Sequence, residues 1–202
     1  ILLSNMPKKK MKKIGLTGVM GAGKSSVIAI LKENNIPILD CDKINAELLE
    51  KGNAGHLALT QLYGINICDE NDNIDKQKMS DFMFSQPHIK KEVENILHPL
   101  IKKTIDDKLN LLDTEIAVVE VPLLFEVKWE DAFDEVWVVC CDEEILLERL
   151  AKYRGISQAE AKRRLAHQIS QQEKRARADV VFENNGDMKQ LRLQVLKALG
   201  RE

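Results

Sequence analysis

Short apolar runs alternate with longer amphipathic stretches along the chain. The first run, at 12–17, leads into a glycine-rich turn, and apolar side chains then recur at helical spacing from residue 26. Further apolar runs follow at 36–39, 116–121, 135–141 and 179–183. Strands that alternate with helices are typical of a parallel sheet, because parallel neighbours need a crossover between them. The pattern therefore predicts an α/β protein with a five-stranded parallel sheet.

The connection between the second and third predicted strands is far longer than a single crossover helix. Helical patterns fill residues 51–112, with turns at 52–55 and 68–73. A long amphipathic stretch at 89–112 is predicted to be interrupted at its His-Pro pair, 98–99. Because open parallel sheets bind ligands at the edge where this connection begins, the region is predicted to form a substrate-binding lobe.

The first turn matches the pattern G-x-x-x-x-G-K-[ST] over residues 18–25, here called the phosphate-binding loop. Its backbone N–H groups and the following helix N-terminus suit phosphate oxygens. Lys24 is predicted to reach the β- and γ-phosphates, and Ser25 to bind Mg²⁺. A strand before the loop and a helix after it disfavour a chance glycine-rich turn. The predicted nucleotide-binding residues in this region are Gly21, Ala22, Gly23, Lys24, Ser25 and Ser26.

Carboxylates stand at the ends of two predicted strands. Asp40 and Asp42 follow the second run, and extended backbone would turn both to one side, where they could bind metal or act as a general base. For Asp42, capping of the next helix is the alternative. Glu120 ends the third run and is predicted to support Mg²⁺ beside the phosphates.

The chain turns basic from Arg149 onward. The basic residues are Arg149, Lys152, Arg154, Lys162, Arg163, Arg164, Lys174, Arg175 and Arg177. A solvated helical face is the usual meaning of such a run. The favoured interpretation is an arginine-bearing lid at 151–177 that closes over a triphosphate, neutralises charge and excludes water. Ser157 is predicted to cap a helix within it.

Composition narrows the class of protein. Lys and Arg total 30 against 32 Asp and Glu, a net charge of −2, so no global basic surface for nucleic acid is predicted. No apolar run approaches the roughly 18 residues of a membrane span, and no obligatory protein partner is evident. The four cysteines lack a C-x-x-C pair and are predicted to be buried reduced thiols, which favours the cytoplasm. Residues 1–10 are predicted to be a disordered leader, with Met11 as a candidate start.

Five segments occur in a fixed order within residues 11–200. They are Leu-Thr-Gly at 16–18 running into Gly-Lys-Ser at 23–25, Leu-Asp-Cys-Asp at 39–42, Leu-His-Pro-Leu-Ile at 97–101, Val-Pro-Leu-Leu-Phe-Glu at 121–126, and Ala-Asp-Val-Val-Phe-Glu-Asn-Asn-Gly at 178–186. In this combination the chain resembles the dephospho-CoA kinase family. The resemblance implies one P-loop kinase-like three-layer α/β/α unit. Its parts are a core at 11–42, 115–150 and 178–200, a helical CoA-binding insertion at 43–114 and the lid at 151–177.

The resemblance also implies an activity and its residues. ATP would transfer its γ-phosphoryl group, with Mg²⁺, to the 3′-hydroxyl of the dephospho-CoA ribose. Asp42 would act on that hydroxyl, while Lys24 and Arg149 would stabilise the transferring group. Asn185 would lie near adenine. The residues implied at the acceptor site are Asp42, His98, Leu123, Leu124 and Glu126.

Two positions depart from the family pattern. Cys41 stands where a small residue, often alanine, is usual, which would allow a thiol-sensitive site. The second lid arginine of the family aligns with Tyr153, and Arg154 follows one position later. Lys152 and Arg154 therefore both remain candidates for a second phosphate contact.

Another small-molecule kinase with this loop, such as a nucleoside monophosphate kinase, is the main alternative. A regulatory GTPase would need an N-K-x-D motif, and a transporter ATPase a serine-glycine-glycine motif, and the sequence has neither. A monophosphate kinase would have to recognise a base and a second phosphate, whereas the long insertion with its His-Pro helix suits a longer acceptor.

Overall fold

The structure is a computed structural model that describes residues 10–201. Its sheet has five strands in the order β2-β3-β1-β4-β5, and the predicted five-stranded parallel sheet is confirmed. The strands are β1 Lys12–Thr17, β2 Ile38–Asp40, β3 Ile116–Glu120, β4 Glu135–Cys140 and β5 Val180–Glu183. This order puts β1 at the centre of the sheet, so the loop after β1 starts from the C-terminal end of the central strand. The predicted leader falls, except for Lys10, outside the described residues.

Helices account for most of the remaining described chain. They are α1 Lys24–Glu33, α2 Cys41–Leu49, α3 Ala54–Tyr63, α4 Lys76–Ser85, α5 Pro87–Asn110, α6 Glu143–Arg154, α7 Gln158–Leu165, α8 Gln171–Arg177 and α9 Met188–Ala198. Short 3₁₀ turns lie at Gly64–Asn66 and Glu130–Ala132. Ser157 caps α7 by accepting a hydrogen bond from the Glu160 N–H at 3.2 Å, as its sequence position predicts. No helix within residues 10–201 combines the length and apolarity needed to cross a bilayer.

The described residues divide into two compact units: those up to Leu39 together with those from Thr114 onward form one, and Asp40–Asp113 form the other. In the first unit the central strand packs closely enough to require a glycine. A Cβ built at Gly15 would lie 2.6 Å from Leu124 Cδ1 and 2.7 Å from Phe133 Cδ2. Trp137 and Phe182 meet edge to face, with ring centroids 5.3 Å apart. This tight core fixes the strand ends from which the site is built.

The second unit consists of α2 to α5. The predicted interruption at 98–99 is wrong, because α5 continues through Pro99. Buried residues recur every four positions on both sides of the proline, at Val93, Leu97, Ile101, Ile105 and Leu109. Pro99 itself is exposed, so its ring and the missing backbone donor fall on the solvent side of the helix. Packing of the buried stripe therefore outweighs the loss of one helical hydrogen bond.

Candidate active site

The phosphate-binding loop connects β1 to α1 in a conformation that depends on glycine. Gly21 has φ +87° and Gly23 has φ +96°, a region that side chains rarely adopt. At Gly23 space is a second constraint, because a Cβ there would overlap the side-chain amide nitrogen of Asn184. Gly23 also serves as the N-cap residue of α1, so the loop delivers the chain directly to a helix N-terminus.

Three hydrogen bonds hold the loop at alternate residues. Lys24 Nζ donates to the Gly18 carbonyl at 3.0 Å, and Asn184 Nδ2 donates to the Ala22 carbonyl at 2.9 Å. Between them, the Met20 N–H donates to Gln168 Oε1 at 3.1 Å. The loop is thus fixed by its own lysine and by two residues from the last third of the chain.

A cleft of about 530 Å³ opens over this loop, within the first unit. The loop and the start of α1 contribute Gly21, Gly23, Lys24, Ser25 and Ser26; β3 contributes Glu120; α6 contributes Arg149, Leu150, Tyr153 and Arg154; and Asn184, Gly186 and Met188 line the side after β5. Seven of the predicted site residues therefore meet in one cleft: Gly21, Gly23, Lys24, Ser25, Ser26, Glu120 and Arg149. Ala22, which belongs to the same loop, is fully buried and is not among the residues that line the cleft.

Arg149 presents a buried donor to the loop. Its Nη1 is inaccessible to solvent and has no hydrogen-bond partner among the described residues. The same atom is 3.7 Å from the position that a Cβ would take at Gly23. A buried guanidinium nitrogen without a partner costs free energy unless a ligand supplies an acceptor. The position beside the phosphate-binding loop makes a phosphate oxygen a suitable acceptor.

Most of the basic residues after α6 pair with carboxylates instead of lining the cleft. Lys174, fully buried, bonds both carboxylate oxygens of Glu126 at 2.8 and 2.9 Å. The other pairs are Arg163 and Arg164 with Glu160, Arg175 with Glu183, and Arg177 with Glu130 and Glu173.

Arg149 and Arg154 are the arginines that line the cleft, whereas Lys152 places its Nζ 5.2 Å from the ring centroid of Tyr153.

The turn after β5 differs in detail from the sequence expectation. Asn185, expected near adenine, is exposed and accepts a hydrogen bond from the Asp142 N–H at 2.8 Å. It is not among the residues that line the cleft, whereas its neighbours Asn184 and Gly186 are. Asn184 is 4% exposed and carries the contact with the loop. Sequence reasoning missed Asn184, although it stands in the same recognised segment.

The expected arrangement of Asp40 and Asp42 is wrong. The strand β2 ends at Asp40 and α2 begins at Cys41, so the backbone does not stay extended and the two side chains do not share one side of a strand. Asp40, not Asp42, caps α2, accepting a hydrogen bond from the Lys43 N–H at 3.0 Å. Asp42 is exposed in the first turn of that helix.

The thiol beside these acids is poorly suited to react. Cys41 is buried, and its burial, together with the negative charges of Asp42 and Asp40, raises the pKa of its thiol to about 12. The thiolate is the reactive form, so little of it exists near neutral pH. Cys68, Cys140 and Cys141 are also free and buried, as predicted, and burial raises the pKa of each.

The residues expected at the acceptor site fall into different environments. In the first unit Leu123 is 44% exposed, but Leu124 is fully buried and packs over Gly15, so its side chain belongs to the core. Glu126 is bound to Lys174 and also accepts a hydrogen bond from the Ile169 N–H at 2.9 Å. In the second unit His98 is partly buried, and that burial lowers the pKa of its imidazole.

The loop, the cleft and the sheet together define the class of protein. A glycine-rich loop follows the central strand of a parallel sheet, a carboxylate ends the neighbouring strand, and arginines from α6 line the same cleft. This is the construction of a P-loop kinase. The family model for CoaE, dephospho-CoA kinase, matches residues 12–190. The chain belongs to the dephospho-CoA kinase family, whose members are ATP-dependent kinases.

Individual relatives agree over nearly the whole chain. The dephospho-CoA kinase of Streptococcus agalactiae is 35% identical over 191 residues, which is 93% of this chain and 97% of that protein. Among solved structures, TT1252 from Thermus thermophilus has a TM-score of 0.83 at 31% identity and covers 95% of this chain and 97% of its own. The dephospho-CoA kinase of Campylobacter jejuni has a TM-score of 0.71 at 26% identity, covering 93% and 95%.

Proposed function

We propose that this chain transfers the γ-phosphoryl group of ATP to the 3′-hydroxyl of dephospho-CoA, giving CoA and ADP. The observation that carries the proposal is a cleft lined by the phosphate-binding loop, Glu120 and Arg149, in a chain of this family. Such a cleft needs little covalent chemistry from the protein, because phosphoryl transfer is catalysed mainly by positioning and by neutralisation of charge.

The nucleotide half of the reaction falls to the loop and α6. The backbone N–H groups of the loop and the ammonium of Lys24 hold the phosphates, and the Arg149 guanidinium supplies donors as charge builds on the transferring group. Ser25 and Glu120 offer a hydroxyl and a carboxylate in the same cleft, which suits Mg²⁺ because this ion keeps water and phosphate oxygens as its other ligands. When bound, Mg²⁺ would neutralise charge between the β- and γ-phosphates.

Asp42 is the proposed acceptor of the hydroxyl proton. As the 3′-oxygen bonds to the γ-phosphorus and the bond to the β-phosphate oxygen breaks, the proton passes to a carboxylate and ADP leaves. Support comes from the exposed position of Asp42 at the start of α2 and from its match to the second acid of the family motif. His98, Leu123 and Glu126 remain candidates for the acceptor side, and Asn185 for adenine through the turn that it shares with Asn184.

The insertion and lid boundaries drawn from the sequence, 43–114 and 151–177, belong to this proposal, as does a cytoplasmic location. The location is supported by the four free cysteines, which fit a reducing compartment. The near-neutral net charge of −2 supports action on small molecules without nucleic acid.

The acceptor is tested directly with purified protein, Mg²⁺ and ATP. We expect ADP release with dephospho-CoA and none above background with AMP, CMP or dTMP. A coupled ADP assay and chromatography of the product measure the reaction. A Lys24→Met variant serves as the control for contaminating kinases and should be inactive with every acceptor. Turnover of a nucleoside monophosphate without turnover of dephospho-CoA would favour the monophosphate kinase alternative.

The second phosphate contact is tested by two neighbouring variants. Arg154→Met is expected to lower kcat/KM by about 10- to 100-fold, because it removes a cation that lines the cleft. Lys152→Met is the matched control and is expected to stay within about twofold, since its ammonium rests against Tyr153. Steady-state kinetics with varied ATP measures both. A larger loss in the lysine variant would assign the contact to Lys152 instead.

A further inference from the structure

The segment 168–174, here called the anchor segment, is bound to the core at successive points. Gln171 pairs with both backbone groups of Cys141: the Cys141 N–H donates to Oε1 at 3.0 Å, and Nε2 donates to the Cys141 carbonyl at 2.9 Å. Ile169 and Lys174 both bind Glu126. The anchor segment is therefore fixed to the residue after β4 and to the segment after β3, so a side chain within it has a defined position.

Gln168 stands first in this segment and contacts the phosphate-binding loop. Its Oε1 accepts the Met20 N–H at 3.1 Å across 148 positions of sequence. Met20 also packs against the core cluster of the first unit, so both its backbone and its side chain are held. The Met20 N–H donates to Gln168 and is therefore not available to bind a phosphate oxygen. In agreement with this, the loop residues that line the cleft begin with Gly21.

We propose that Gln168 is a positioning residue that holds the phosphate-binding loop in its nucleotide-binding shape through the Met20 amide. The proposal rests on the proposed function only in that the loop binds nucleotide phosphates. Without the acceptor at Gln168, the loop between Gly18 and Gly21 can rotate, and part of the binding free energy is then spent on ordering it. The opposite interpretation is a latch that must open for nucleotide to bind. The two interpretations predict opposite changes in affinity.

The test uses the full chain and the probe Mg²⁺-ADP, measured by isothermal titration. Gln168→Met keeps the length of the side chain and removes its acceptor, and we expect the Kd to rise about 3- to 10-fold, the effect of one lost hydrogen bond. Gln172→Met, an exposed glutamine in α8, is the matched control and should stay within about twofold. In turnover, the KM for ATP should rise more than kcat falls.

A second measurement reads the contact without nucleotide or activity. Amide hydrogen exchange at Met20 should accelerate in Gln168→Met, and Gln168→Glu, which retains an acceptor oxygen, should restore protection. A tighter Kd in Gln168→Met would overturn the proposal in favour of a latch. An unchanged Kd with accelerated exchange would reduce the contact to a local structural one. Since ADP binding needs no acceptor, these outcomes are independent of whether dephospho-CoA is the substrate.

Discussion

Replacing Asp42 by asparagine is expected to lower kcat by about 10²- to 10⁴-fold, the usual range for loss of a general base. The substitution keeps the shape of the side chain and removes the site that would accept the proton of the 3′-hydroxyl. The Kd for Mg²⁺-ATP should stay within about twofold, since the phosphate-holding residues are in the other unit. Rapid-quench single turnovers and nucleotide titration measure the two quantities separately.

Asp40→Asn is the matched control for this experiment. Asp40 caps α2, and asparagine caps helices about as well as aspartate, so stability should be preserved. We expect near-normal turnover if Asp40 has only this structural role. An unchanged rate in Asp42→Asn would remove Asp42 from the proposed mechanism, and a large loss in Asp40→Asn alone would move the role to the capping residue.

Replacing Glu126 by glutamine is expected to lower the free energy of unfolding by about 3 to 5 kcal/mol, because it leaves the Lys174 ammonium buried without its counter-charge. Lys174 is fully buried, and its ammonium donates to both oxygens of this carboxylate. Urea denaturation followed by far-UV circular dichroism measures the change.

Two controls show whether burial is the cause. Combining Glu126→Gln with Lys174→Met removes the stranded charge and should recover much of the lost stability, since a buried pair can often be replaced by apolar side chains at little cost. Lys103→Met breaks an exposed pair with Asp107 on α5 and should leave the denaturation midpoint unchanged. A double variant as unstable as Glu126→Gln would mean that packing around the site, not the charge, is responsible.

Local patterns in the sequence carry the sheet and the phosphate-binding loop. The spacing of apolar residues distinguishes strands from helices within each short stretch. The loop motif places glycines at the positions where the backbone requires them. The errors at Asp40 and Pro99 have a shared cause. Both local rules ignore tertiary structure: α2 starts at Cys41, two residues before the start that a cap at Asp42 would give, and the buried stripe of α5 continues past the exposed Pro99.

The contacts that shape the cleft could not be predicted from local patterns. Asn184 and Gln168 reach the loop from 162 and 148 positions away, and no periodicity relates such distant residues. Likewise, the basic run predicted a lid surface, but the partners of Lys174, Arg175 and Arg177 are acids supplied by other segments. Tertiary structure decides which basic residues form ion pairs with carboxylates. The run of basic residues alone therefore could not distinguish Arg154, which lines the cleft, from the residues in ion pairs.

Gly23 and Asn184 interlock, because the amide of one fills the space that a side chain on the other would need. Neither position can then drift alone during evolution: a methyl group at 23 displaces the amide, and an altered side chain at 184 releases the Ala22 carbonyl. Because Gly23 also has φ +96°, a smaller side chain at 184 would not by itself permit a side chain at 23, so both positions are expected to resist substitution.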